Sequence, residues 1–196
     1  MDATSPERSL QETELIQRAR RGDDIAWAEL VRMHQQAVFR LAYLHLGDAA
    51  EAEDAAQDCL ITAYRGLRRF DETRPLRPWL LRIVSNLARN RRRSIGRYWS
   101  ALQRSARAEP ILQRGPEKLS ESQEEAEALW EAVRQLPNKM QNVLYLRFFL
   151  ELSVEETARA LGEAQGTVKS QTHRALTRLQ EVIRRQYPLL EEGRSQ

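Results

Sequence analysis

The run Leu152-Ser153-Val154-Glu155-Glu156-Thr157-Ala158-Arg159-Ala160-Leu161-Gly162-Glu163-Ala164-Gln165-Gly166-Thr167-Val168-Lys169-Ser170 decides how the C-terminal half of the chain folds. Ser153 and Glu156 stand in the Ser-x-x-Glu spacing of a capping box, which opens a helix. Counting from Val154, Ala158 is fifth, Gly162 ninth and Val168 fifteenth, the packing pattern of two helices crossed about a tight turn. The small Ala lets the helices approach, Gly accepts the positive φ of the turn, and Val fills the space beneath the second helix. Thr167 is in position to cap that second helix. Its outward positions then include Lys169, Ser170, His173, Arg174 and Arg178, side-chain types that meet phosphates and base edges in a major groove. An ordinary helical hairpin with a solvated basic face would show the same spacing.

Working outward, the residues before this motif continue the helical pattern. Ala126, Leu129, Trp130 and Val133 recur on one side of a helix beginning near Gln123, Leu136-Pro137-Asn138 breaks it, and Val143, Leu144, Leu146 and Phe148 resume it. In the N-terminal half a helix follows Asp24, with Trp27, Leu30, Val31, His34, Val38, Leu41 and Leu44 or His45 at the period of a half-buried helix. Gly47 ends it and Asp48 caps the next, which runs to about Phe70 with Ala52, Ala55, Ala56, Cys59, Ala63 and Leu67 inside. Cys59 reads as a small core residue.

Asp71 to Pro78 holds two prolines among polar residues, so a loop precedes the next helix. That helix carries Trp79, Leu80, Ile83, Val84 and Leu87 on one face and Arg82, Asn86, Arg89 and Arg93 on another. From Ser94 to Ser122 the periodicity fails around Gly96, Pro110, Gly115 and Pro116, which predicts a linker; its Tyr98 and Trp99 are apolar enough to dock on something.

Composition agrees. Charged residues are 30% of the 196, and Gly and Pro number only 8 and 7, leaving a chain dominated by good helix formers. The prediction is an all-α protein of two small helical domains: a tail over 1–11, a domain over 12–93, a linker over 94–122, a domain over 123–186 and a tail over 187–196. The net charge of +3 hides an alternation: −6 over residues 1–60, +10 over 61–110, −5 over 117–163 and +4 over 164–187. Two separate basic blocks suggest two contacts with a polyanion.

These residues also carry a family resemblance. Leu136-Pro137, Val143 to Phe148, Leu152 to Ala158, Leu161-Gly162, Gly166-Thr167-Val168-Lys169-Ser170, His173-Arg174-Ala175 and Leu179 resemble the fourth conserved region of bacterial sigma factors. Gly-Thr-Val-Lys-Ser and His-Arg-Ala are the specific part. Asp54-x-x-Gln57-Asp58, followed by Ile61, Ala63 and Tyr64, resembles the helix by which sigma factors hold the clamp helices of the polymerase largest subunit. By helical spacing Asp54, Gln57, Asp58, Ile61 and Arg65 share the face opposite Cys59 and should be exposed.

Arg77-Pro78-Trp79-Leu80-Leu81-Arg82-Ile83, Asn86-Leu87-Ala88 and Arg91-Arg92-Arg93 are similar to the element that recognises the −10 promoter region. Within it Arg77, Arg82, Asn86, Arg89 and Arg93 are the candidates for DNA contact, while Trp79 is most simply a core residue. In the resembled family the preceding loop, here Phe70 to Arg77, receives a base flipped from the melted strand, at an unstacking cost that a shaped pocket must offset. Two positions depart from the pattern, Asn90 where an acid is common and Gln171 where Arg is frequent.

The short gap between domains and the brief N-terminal extension fit the small extracytoplasmic-function group, which lacks the middle domain of housekeeping sigma factors. The resemblance implies core RNA polymerase (clamp helices and flap), promoter DNA and an anti-sigma factor as partners, and no cofactor or small-molecule substrate. An enzyme is not expected. His34, His45 and His173 show no metal-ligand spacing with Cys59, and no phosphate loop or nucleophile elbow is present. One cysteine, no signal segment and no bilayer-length apolar run predict a cytoplasmic protein. The rival reading is a stand-alone helix-turn-helix regulator, which has no reason to carry Asp54 and Gln57 together with the Trp79 to Arg93 segment.

Overall fold

The computed structural model describes residues 6–105 and 121–187, with side chains over 10–93 and 126–187. The side chains of Tyr98 and Trp99, and residues 106–120 with Pro110, Gly115 and Pro116, lie outside the described residues. Every element among the described residues is helical. The chain divides into two compact units, Met1–Leu102 with Arg159–Gly162 and Gln103–Ala158 with Glu163–Gln196.

The first unit is built from α1 (Pro6–Arg20), α2 (Asp24–Leu46), α3 (Ala49–Gly66), a 3-10 turn (Leu67–Arg69) and α4 (Leu76–Ser105). Helix α2 starts where Asp23 Oδ1 accepts from the Ile25 and Ala26 amides at 3.0 and 3.1 Å, satisfying orphan donors of the first turn. It stops at Gly47, whose φ of 73° no β-carbon would favour. Asp48 caps α3 through the Glu51 amide at 2.9 Å, as its position predicts. The core between these helices is Ile16, Leu30, Val38, Leu41, Cys59, Leu67, Leu80 and Leu81, all 2% exposed or less. Each large member contributes roughly 1.5–3 kcal/mol by leaving water. Cys59 lies inside as expected, its thiol donating to the Leu80 carbonyl at 3.4 Å. Burial pushes its pKa up to about 12, so the thiol is inert.

Three expectations change in this unit. Helix α1 was not anticipated by the periodicity, yet it buries Leu15, Ile16 and Ala19. The inner stripe of α4 is Leu80, Leu81, Val84 and Ala88, while Trp79, Ile83 and Leu87 are half-buried. Trp79 packs on Phe70 with ring centroids 4.8 Å apart and over Gly66, where a β-carbon would approach its ring to 3.3 Å. Third, α4 runs through Ser94 to Ser105 instead of ending at 93. Arg, Ala, Leu and Gln sustain a helix there, and one Gly costs only about 1 kcal/mol.

After α4 come α5 (Glu121–Arg134), α6 (Asn138–Leu144), a π turn (Tyr145–Phe149), α7 (Val154–Leu161) and α8 (Gln165–Gln186), of which all but the last three residues of α7 belong to the second unit. The break at Leu136-Pro137 is stitched by Gln141, whose amide donates to the Arg134 and Leu136 carbonyls at 2.8 and 2.7 Å. Trp130, Tyr145 and Phe149 form a ring cluster with centroids 5.7–6.0 Å apart. The π turn, closed by the Leu150 amide on the Tyr145 carbonyl at 2.9 Å, shifts the register beyond Leu144. Phe148, expected inside with Leu146, is therefore 51% exposed. On α5, Ala132 and Val133 carry the burial, with Leu136 buried just beyond it, and Ala126 and Leu129 are exposed.

Candidate functional site

The helix-turn-helix is assembled as its spacing predicts. The capping box is reciprocal, with Ser153 N donating to Glu156 Oε2 at 2.8 Å and Glu156 N to Ser153 Oγ at 3.1 Å. Ala158 and Val168 are buried, and Gly162 takes a φ of 71°. One part of the expectation is corrected: Thr167 does not cap the recognition helix. The cap position belongs to Ala164, in extended backbone and with no side-chain cap bond. After the left-handed turn at Gly162 only Glu163 and Ala164 are needed to redirect the chain, so α8 starts three residues early and Thr167 lies in its first turn.

Opposite the buried Val168 and Ala175, α8 exposes Thr167, Lys169, Ser170, His173, Arg174 and Arg178. Arg174 donates to the Ser170 carbonyl and hydroxyl, both at 3.3 Å. Arg174 is thus braced by Ser170, one turn back on its own helix. Arg178 pairs with Glu181 at 2.6 Å, an exposed i, i+3 pair that an incoming phosphate can displace at little cost. Gln171, the departure noted above, is half-buried and donates to Glu163 Oε2 at 2.7 Å, bracing the turn.

On α3 the whole predicted face, Asp54, Gln57, Asp58, Ile61 and Arg65, is exposed. Sequence spacing did not reveal its neighbour. Arg91 of α4 reaches across to Asp58 at 2.7 Å, Glu51 at 3.1 Å and Asp54 at 3.4 Å. The three carboxylates, Asp58 foremost, hold the guanidinium pKa above its usual value. One arginine of the basic run is therefore turned toward protein. Of the candidates on α4, Arg82, Asn86 and Arg93 are exposed, while Arg77 and Arg89 are half-buried.

The loop between α3 and α4 is ordered by its own side chains. Asp71 Oδ1 accepts from the Thr73 amide at 3.2 Å and hydroxyl at 2.6 Å, and Arg74 pairs with Asp71 at 2.9 Å. These contacts, the Thr73 hydroxyl first, hold the Asp71 carboxyl below its ordinary pKa, so it stays ionised as an acceptor.

A basic face on a helix-turn-helix, and a second basic helix behind an ordered loop, define a DNA-binding protein of all-α build. Comparison with known proteins is specific. Residues 30–98 match the family model of sigma-70 region 2, and residues 126–179 that of sigma-70 region 4. The ECF RNA polymerase sigma factor SigW of Bacillus subtilis is 31% identical over 86% of this chain and 95% of its own. The RNA polymerase sigma-H factor of Pseudomonas aeruginosa is 30% identical over 93% of this chain and 97% of its own. The fold is shared with CnrH, solved in complex with the cytosolic domain of CnrY, at a TM-score of 0.68 and 22% identity over 90% of this chain and 99% of that one. It is also shared with the sigma factor RpoE of Bartonella quintana, solved with the anti-sigma factor NepR, at 0.62 and 24% over 80% and 96%.

The chain belongs to the extracytoplasmic-function RNA polymerase sigma factors. It functions as a sigma factor in transcription initiation, and both matched regions together set aside the stand-alone regulator. Among the described residues no helix is long and apolar enough to cross a membrane.

Proposed function

We propose that the three exposed faces divide the work of this sigma factor. The face of α3 with Asp54, Gln57, Asp58, Ile61 and Arg65 binds the clamp helices of core polymerase. The α4 residues Arg82, Asn86, Arg89 and Arg93, with Arg77 at the helix start, meet the −10 element, and the Phe70 to Arg77 loop receives its flipped base. On α8, Lys169, Ser170, His173 and Arg174 present donors to the major groove at the −35 element, with Thr167 at the helix start and Arg178 on phosphate. A bidentate Arg174 contact to guanine discriminates by roughly 1–3 kcal/mol, whereas a phosphate contact adds affinity without preference.

The observation that carries this reading is within the first unit: an exposed acidic stripe on α3 beside exposed donors on α4, each backed by fully buried core. Opposite charges on neighbouring helices suit two different partners, a basic protein surface and a polyanion. Chemistry then belongs to the polymerase, the protein itself being no enzyme, and its place of work is the cytoplasm. An anti-sigma factor that covers one of these faces would switch it off.

The double substitution Asp54→Ala with Gln57→Ala tests the assignment of α3. Competition for core polymerase should weaken by about tenfold or more, as expected for losing a charge-assisted contact and its neighbour, with helicity unchanged. Normal competition by a folded mutant would remove this face from the core-binding surface.

A further inference from the structure

Helix α1 precedes the region 2 match, which begins at residue 30, and none of the faces above uses it. Two of its long polar side chains, Arg20 and Glu12, nevertheless fasten the loop between α3 and α4 at both ends. At the entrance, Arg20 donates through Nε to the Leu67 carbonyl at 2.9 Å and through Nη2 to the Phe70 carbonyl, and its Nη1 lies 3.4 Å from Glu72 Oε2. At the exit, Glu12 Oε2 accepts from the Leu76 amide at 3.3 Å, serving as a cap for α4 supplied from another helix. The other oxygen of Glu12 is held by His34 Nε2 at 2.8 Å, so the carboxylate is itself fixed. Pro75 cannot donate to it, and Leu76 is fully buried. Arg20 and Glu12 stand eight residues apart on one helix, about 12 Å along its axis; two rigid points thereby set the span of the loop.

We propose that α1 is a brace that shapes the base-receiving loop before DNA arrives, with Arg20 as a positioning residue for −10 recognition. This rests on the reading of Phe70 to Arg77 as that loop. The physical reason is preorganisation. A loop held only by its own Asp71 turn would have to be ordered each time a base enters, and that ordering would be subtracted from the energy available to hold an unstacked base. The forked guanidinium spans two carbonyls and a carboxylate at once, which a lysine ammonium on the same stem does not.

The test uses full-length protein with core polymerase on promoters carrying single-base changes at −10 and −35. The variants are Arg20→Ala, Arg20→Lys and, separately, the loop-tip pair Thr73→Ala with Arg74→Ala, whose exposed side chains pair with Asp71. The loop-tip pair should reshape preference at a −10 position. Arg20→Ala should lose about tenfold in discrimination at that same position, in keeping with loss of charge-assisted hydrogen bonds. Arg20→Lys should fall between, with −35 preference and competition for core unchanged. Hydrogen exchange at Glu72, Thr73 and Arg74 should quicken in Arg20→Lys while α2 and α3 stay protected, a readout that serves even where Arg20→Ala fails to fold. A reshaped profile in the loop-tip variant beside wild-type profiles and loop protection in the Arg20 variants would overturn the brace alone. An unchanged −10 profile in the loop-tip variant would overturn the base-receiving role and the brace with it.

Discussion

At the scale of single residues, the contact of greatest consequence is Arg91. Three carboxylates spaced along about two turns of α3 repel one another, and one guanidinium from α4 compensates them. The acids' side chains are 42–65% exposed, so solvent and salt screen the network. Arg91→Ala should cost on the order of 1 kcal/mol of stability at low ionic strength, with the difference from wild type shrinking as salt is added. Urea unfolding at low and high salt measures it. A difference that does not depend on salt would mean that Arg91 acts through packing alone.

This residue also marks what spacing can and cannot reveal. Asp54, Gln57 and Asp58 declare a shared face because helical periodicity is local. Arg91, which pairs with Asp54 and Asp58, is 37 and 33 residues away from them, and no periodicity links two helices. Within the run Arg91-Arg92-Arg93 the sequence offers three equal arginines, and only the way α4 sits on α3 selects the first. Thr167 failed differently. It is a good capping residue beside a helix start, but the short reach from Gly162 placed that start at Ala164, which caps poorly.

At the scale of elements, punctuation was readable wherever it was chemical. Gly47-Asp48, the Ser153/Glu156 box and the Ala158, Gly162, Val168 triplet each act within one turn, and each lies where its chemistry requires. Helix α1 escaped because its buried stripe of Leu15, Ile16 and Ala19 is short and it is held as much by Glu12 and Arg20 as by apolar area. The π turn escaped because nothing in Tyr145 to Phe149 announces an extra residue per turn.

The end of α2 carries a pH dependence. His45, 8% exposed, is kept neutral by burial first and then by the charges of Arg89 and Arg92, which lower its pKa to about 4. The unfolded chain takes up this proton near 6.5 and the folded chain only near 4, so between those values the unfolded state binds more protons. Stability from this residue is full above about pH 6.5 and declines as pH falls toward 4, by a total on the order of 3 kcal/mol. Urea unfolding from pH 7 to 4.5 should therefore fall less steeply for His45→Gln than for wild type. Parallel curves would show that His45 is not the titrating group.

At the scale of the whole molecule, the charge alternation read from the chain becomes a division of surfaces. The exposed Arg82 and Arg93 of α4 come from the +10 block, and the exposed Lys169, Arg174 and Arg178 of α8 come from the +4 block. The acidic N-terminal block contributes the stripe on α3. On the proposed assignment, two DNA-facing helices let one protein read two elements of a promoter, each too short for specificity alone. Because mismatch costs add for well-separated positions, changes in one helix should leave preference at the other element untouched.

The measurement that tests this most directly is transcription by purified core polymerase, with and without the protein, from a library randomised across both promoter elements. With the protein, the transcripts should enrich a pair of motifs at −35 and −10. Arg174→Ala should relax only the upstream motif and Asn86→Ala only the downstream one, while the protein without core should select neither. A single motif, selected by the protein without core and altered by both substitutions together, would contradict it.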